Sequence, residues 1–279
     1  MKNKIQIKII NLLNKLFKKK RFNENSNNYK RKLFFKGLLE WDDERNNLIS
    51  IDLIHNINLE NLFFIEAQKK VLINNTKYFL EGGQGNNALL WGSRGTGKSS
   101  LVYAIYNLFK DKYVFLMIEI KFFQIKHLPK ILRNLEKIKE KIIIYCDDFS
   151  FEKNSEDFII FKNTLEGSLR KHSNIIFYVT SNYRHLVRGM ENNDGQQIHK
   201  KDATENLISL SDRFGIWLGF HNFDQEKFLK VVFFYSKALK LDLKKNNIQN
   251  KALEWALLRG SYSGREAFNL VRFLQSETR

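Results

Sequence analysis

Gly92-Ser93-Arg94-Gly95-Thr96-Gly97-Lys98-Ser99 sets glycines, a lysine and a hydroxyl at the spacing of a phosphate-binding loop. Glycines at 92, 95 and 97 let the backbone turn tightly and bring its N–H groups against phosphate oxygens. The Lys98 ammonium is expected to reach the β- and γ-phosphates of ATP and the Ser99 hydroxyl the bridging magnesium ion, with Ser100 counted beside residues 92–99 among the nucleotide-binding positions. Asp147 follows the apolar run Lys141–Cys146 and offers the hard oxygen donor that magnesium requires. Asp148, next to it, is expected to polarise the attacking water, with Glu152 the rival base. Asn182 ends another apolar run, where its short amide suits the γ-phosphate and the water, or else caps the following turn.

Two arginines complete the chemical set. Arg213, in Ser211-Asp212-Arg213-Phe214-Gly215, presents a planar guanidinium suited to a neighbouring subunit's phosphate, or to an ion pair with an acid of its own chain. Arg265, after Ser263-Gly264, opens the last helical pattern and is expected to reach back to the nucleotide.

These residues need elements to position them. Asn87–Trp91 before the loop suits a buried parallel strand, and residues 99–109 after it carry apolar side chains at helical spacing. Tyr113–Ile120, Lys141–Asp148, Asn174–Asn182 and Phe214–Phe220 read as further strands, with helices over Leu59–Leu80, Leu128–Ile138 and Phe158–Leu169 between them. Such alternation predicts an α/β fold, a parallel sheet with helices on both faces and functional groups at its carboxyl edge. Residues 188–206 are polar and expected to form a long loop. Helical patterns at 224–240, 248–259 and 264–275 predict a small helical lid. The domains are therefore a basic N-terminal helical extension (1–50), a nucleotide-binding core (51–222) and the lid (223–279). Within the extension, apolar residues from Ile5 to Phe17 make a basic amphipathic helix over residues 1–20, residues 23–28 read as a linker, and Leu33–Asn46 as a second helix.

The 279 residues, 43% apolar and including 24 Phe, suffice for a full core. The absence of a long apolar run, of a signal-peptide pattern and of a second cysteine beside Cys146 points to the cytoplasm and away from a disulfide scaffold. Of the net charge of +17, eleven charges lie in residues 1–36, which hold twelve Lys/Arg and one acid. The basic signal is mainly a tail, open to nucleic acid or another polyanion, to an anionic membrane surface without a transmembrane segment, or to docking on its own core.

In this order the P-loop, Asp147-Asp148, Asn182, Ser211-Asp212-Arg213 and Gly264-Arg265 resemble the Walker A, Walker B, sensor 1, arginine-finger and sensor 2 motifs of AAA+ ATPases. More closely, Leu89-Leu90-Trp91 running into Gly97–Val102, Cys146–Glu152, Thr180–Leu186 and Leu210–Gly215 resemble the bacterial family called domain of unknown function 815, over about residues 50–279. The resemblance implies the AAA+ fold, a five-stranded parallel sheet sandwiched by helices with a helical lid, ATP with magnesium, and a homo-oligomer with sites at subunit interfaces; it implies no substrate. One departure stands out. The aromatic-apolar-glycine loop of translocating AAA+ machines reads Lys121-Phe122-Phe123-Gln124-Ile125 here, without glycine, so these phenylalanines are expected to pack rather than line a pore. The expected function is a magnesium-dependent ATPase coupling turnover to conformational change or assembly, with a nucleotide-gated nucleic-acid loader of little turnover, or a peripheral membrane adaptor, as alternatives.

Overall fold

A computed structural model of the protein describes residues 37–51, 57–152, 155–171, 173–187, 213–241 and 244–277. The helix expected over residues 1–20, the linker 23–28, the loop 188–206 and Ser211-Asp212 lie outside the described residues. At the centre is the run Lys141–Cys146, whose consecutive side chains feed opposite layers. Ile142 and Ile144 join one buried cluster, Ile143 and Tyr145 another, as the two-residue repeat of a strand dictates. A strand apolar on both faces must be covered on both, and helices do so.

In chain order the described strands and helices are β1 (Gly37–Asp42), β2 (Asn47–Ser50), α1 (Glu66–Leu80), β3 (Ala88–Gly92), α2 (Lys98–Phe109), β4 (Phe115–Ile120), α3 (Leu128–Leu135) and β5 (Lys141–Cys146). They continue with α4 (Glu156–Lys171), β6 (Ile175–Ser181), β7 (Ile216–Phe220), α5 (Gln225–Ala238), α6 (Lys245–Arg259) and α7 (Gly264–Glu277). The strands make one sheet in the order β2-β1-β4-β5-β6-β3-β7, parallel except for β2. Leu72 and Phe79 of α1, with Leu101, Ile105 and Phe109 of α2, cover one face. Ile131 and Leu135 of α3, with Phe158, Phe161 and Leu165 of α4, cover the other. Each such burial contributes about 1.5–3 kcal/mol. A third cluster, including Phe228, Val232, Ala252, Ala267 and Leu270, holds α5, α6 and α7 together. None of the described helices is long and apolar enough to cross a membrane.

The sheet has seven strands where five were expected. The addition comes from residues 37–50, expected within a helical extension and a helix over Leu33–Asn46, which instead form the β1–β2 hairpin. Leu38, Leu39, Trp41 and Leu48 are buried because β1 pairs with the edge of β4, Leu39 opposite Ile118. A short apolar run satisfies either period, and an open sheet edge decides between them. The polar Asp43-Glu44-Arg45-Asn46 is thus a hairpin turn, with Asn46 at φ 52°. Residues 59–65, expected inside a helix, form a 3-10 turn at Leu59–Asn61 and an irregular segment with Phe64 at φ 61° before α1 begins. Of the pair after β4, Phe122 packs on Phe149 and Phe151, while Phe123 is 65% exposed.

Register brings the chemistry together. Cys146 pairs with Val179 and Trp91 with Ser181, so β3, β5 and β6 end side by side. From β3 the chain crosses to β4 on one side, while β7 pairs with β3 on the other, and such a reversal opens a crevice at the carboxyl edge.

Candidate functional site

Gly92 ends β3 at φ 131°, and a Cβ there would lie 1.9 Å from the Phe220 carbonyl oxygen of β7. That same oxygen accepts from the Ser93 N–H at 3.0 Å. Only glycine leaves the sheet through this contact. Gly95, at φ 76°, is confined from the opposite side, where an added Cβ would meet Ser263 Oγ at 2.7 Å and Arg265 Cβ at 3.0 Å. Its carbonyl accepts from the Arg265 N–H at 3.3 Å. The loop is clasped between β7 and the start of α7, and it leads into α2, whose unpaired N-terminal N–H groups form the positive end of the helix dipole.

Lys98, in the first turn of α2, is 7% exposed. Its Nζ donates to the carbonyls of Gly92 (2.7 Å) and Ser93 (2.8 Å) and to Asn182 Oδ1 (3.2 Å). Burial lowers its pKa to about 8, against the opposite pull of Asp148 and Asp147. Thr96 ties the loop internally, its hydroxyl donating to the Ser93 carbonyl at 2.7 Å.

Asp147 stands one residue past β5. Its Oδ1 accepts hydroxyls from Ser99 (2.6 Å), Tyr145 (2.6 Å) and Thr180 (2.7 Å). Asp148 follows at φ 53°, a left-handed conformation that costs a non-glycine residue about 1–2 kcal/mol. Its N–H donates to Thr180 Oγ1 at 2.8 Å, its Oδ1 accepts from Asn182 Nδ2, and Arg94 Nη2 lies 3.8 Å from its Oδ2. The turned backbone therefore sends two consecutive carboxylates to different partners, one to Ser99 and the other to Asn182 and Arg94.

A cavity of about 770 Å³ lies over these groups. Residues 94–100, Asp147, Asp148, Asn182 and Arg265 line its polar side, and Leu62, Phe63, Phe223, Tyr235 and Phe268 an apolar side. Glu152 is exposed and Arg213 lies elsewhere; neither lines the cavity. Arg213 Nη2 instead meets Glu166 Oε1 of α4 at 3.2 Å. One carboxylate and one hydroxyl, Asp147 and Ser99, suit magnesium, which takes few protein oxygens and completes its shell with phosphate and water.

Sequence reasoning missed the hydroxyls of Tyr145 and Thr180 and the aromatic wall. A signal for Tyr145 was available, since a phenol interrupts an isoleucine run two residues before Asp147. None marked the wall, whose members sit far apart in the chain.

The family model described as "Protein of unknown function (DUF815)" matches residues 36–278. The chain belongs to this family. Among curated proteins, none matches the DUF815 chain in sequence. Among solved structures, it is similar to a DNA replication initiation factor (18% identity, TM-score 0.53) and to the replication initiator DnaA bound to AMPPCP and single-stranded DNA (20%, 0.52). Each match covers 80% of this chain and 66% of the other. It is also similar to the Thermotoga maritima RuvB Holliday junction branch migration motor, at 13% identity and TM-score 0.50, covering 77% of this chain and 63% of that one. The DUF815 chain thus spans less than two thirds of the length of these structures. The likeness is one of fold, and the fold is the AAA+ P-loop fold.

Proposed function

We propose that the protein is an AAA+ ATPase that binds ATP with magnesium between the sheet-bearing core and the helical lid, residues 223–279. The observation that carries this reading is the convergence of Lys98, Ser99, Asp147, Asp148 and Asn182 at one end of three adjacent strands, beneath a single cavity. The loop N–H groups and the α2 dipole would take the phosphates, and Lys98 would exchange its carbonyl partners for phosphate oxygens. Magnesium, held by Ser99 and Asp147, would supply neutralisation of charge on the β- and γ-phosphates. Asp148 orients the attacking water, helped by Asn182, with Glu152 the alternative base. Arg265 contacts the nucleotide from the lid. Arg213, outside its own chain's cavity, completes the site of a neighbouring copy.

The test compares wild type with Lys98→Ala. ATP hydrolysis by wild type is expected, and loss of a charge-assisted contact should weaken Lys98→Ala binding by about tenfold to a hundredfold. Equal nucleotide affinity in the two proteins rules the reading out.

A second reading, a nucleotide-gated module that assembles on nucleic acid, draws support from the eleven net charges of residues 1–36 and from the likeness in fold to a DnaA bound to single-stranded DNA. Adding DNA, RNA or anionic vesicles to the same turnover assay separates the two. A salt-sensitive response to nucleic acid with negligible basal turnover favours the module.

A further inference from the structure

Tyr145 is fully buried, and its hydroxyl is spent on a carboxylate. The ring lies on β5 and meets Tyr103 of α2 edge to face, with centroids 5.3 Å apart. Packing alone would be served as well by phenylalanine, whose burial desolvates no hydroxyl. The hydroxyl donates instead to Asp147 Oδ1, two residues along the same strand direction, at 2.6 Å. Thr180, at the end of β6, donates to the same oxygen at 2.7 Å and accepts the Asp148 N–H at 2.8 Å. The third donor to that oxygen is Ser99, the one residue of the three that a nucleotide-bound cation would also engage.

We propose that Tyr145, with Thr180, is a positioning residue that fixes the Asp147 carboxylate for the divalent cation. This rests on the magnesium-nucleotide reading given above. When Ser99 turns to the cation, Asp147 keeps two hydroxyl donors, one from its own strand and one from the next, so its carboxylate stays aimed at the crevice. A carboxylate held by only one of them samples other rotamers and must be reordered whenever the cation arrives. Partners of this kind, which touch a ligand and not the metal, typically carry 10–100-fold in metal affinity. The Thr180 hydroxyl accepts the Asp148 N–H while donating to Asp147 Oδ1, so the orientations of the two acids are coupled.

The experiment measures the affinity of a fluorescent ATP analogue in EDTA and across a magnesium titration. Tyr145→Phe, which keeps the ring, should leave the affinity in EDTA within about twofold and raise the magnesium concentration for half-maximal effect about tenfold or more. Thr180→Val should do the same. Tyr103→Phe is the packing control, because its hydroxyl donates to Glu119 at 2.8 Å and not to Asp147; its magnesium requirement should match wild type. A wild-type requirement in Tyr145→Phe overturns the proposal, as does an equal shift in Tyr103→Phe. Thermal unfolding and the EDTA affinity report whether each variant folds, and should Tyr145→Phe not fold, Thr180→Val decides by the same criterion. If magnesium leaves the wild-type affinity unchanged, the magnesium-nucleotide reading falls and this proposal with it; a magnesium-responsive wild type beside unshifted variants overturns this proposal alone.

Discussion

Lys98 occupies a pre-formed but protonically soft site. With its pKa lowered to about 8 by burial, the empty protein has lost part of this charge by pH 8.5. A bound polyphosphate favours the ammonium and draws the pKa back up, so the complex holds more protons than the empty protein in the window from about 8 to 10.5. Nucleotide binding should therefore take up protons there, and affinity should fall as pH rises. Titration calorimetry at pH 8.5 in buffers of different ionisation enthalpy measures this directly; a buffer-independent enthalpy removes Lys98 as the titrating group. The sign for folding is the reverse of a salt bridge. Because the unfolded chain binds the extra proton between pH 8 and 10.5, this group lowers the stability of the empty protein below pH 8 and the deficit shrinks as pH rises.

Asp148 stands at φ 53° beside the cavity, and the proposed function gives it the attacking water. Asp148→Asn should bind ATP near normally and lose about 10²–10⁴-fold in hydrolysis, the usual worth of a positioned base. If it turns over normally while Glu152→Gln does not, the base is Glu152, which must then swing in from its exposed position.

At the scale of elements, the loop depends on the pairing of β3 with β7. Gly92 is the pinch point, since a methyl group there would sit 1.9 Å from the Phe220 carbonyl and the residue would be held at φ 131°. Gly92→Ala should force β7 away from β3 and cost about 3 kcal/mol or more. Urea unfolding checks this; a cost below about 1 kcal/mol would mean that the loop can leave the sheet by another path. The hairpin β1–β2 acts at the other edge. It covers the flank of β4 that a five-stranded sheet would leave open, and Lys121 of the following turn reaches back to Glu40 at 3.3 Å.

For the whole molecule the question is whether a site is completed within one chain. Arg213 pairs with Glu166 at 3.2 Å, on a half-exposed surface where an ion pair is worth about 0–1 kcal/mol. The proposed function has the guanidinium exchange this weak pair for a phosphate of a second copy. Arg213→Ala should bind ATP almost normally and lose about 10³–10⁵-fold in turnover, the range for a finger supplied in trans. Mixing Arg213→Ala with Asp148→Asn, each inactive alone, should restore activity, because some interfaces then pair an intact Arg213 with an intact Asp148. Were the pair with Glu166 the whole role, Glu166→Gln and Arg213→Ala would share a small loss of stability, and both would keep their turnover.

What the sequence determined by itself is the part of the protein that is local. Residues 92–99 are contiguous, their glycines and lysine act through the backbone of one turn, and Asp147 and Asn182 end apolar runs whose strand character needs no distant partner. The parallel alternation of strand and helix follows from the same short-range periods. Tertiary structure decided the rest. Leu38, Leu39 and Trp41 suit a helix or a strand equally, and the free edge of β4 made them a strand. Leu62, Phe63, Phe223, Tyr235 and Phe268 form one wall only because α5 and α7 pack beside the loop, and the hydroxyls of Tyr145 and Thr180 meet on one oxygen of Asp147 only because β5 and β6 pair in register. Such meetings depend on how whole layers pack, and no pattern within a single segment encodes them.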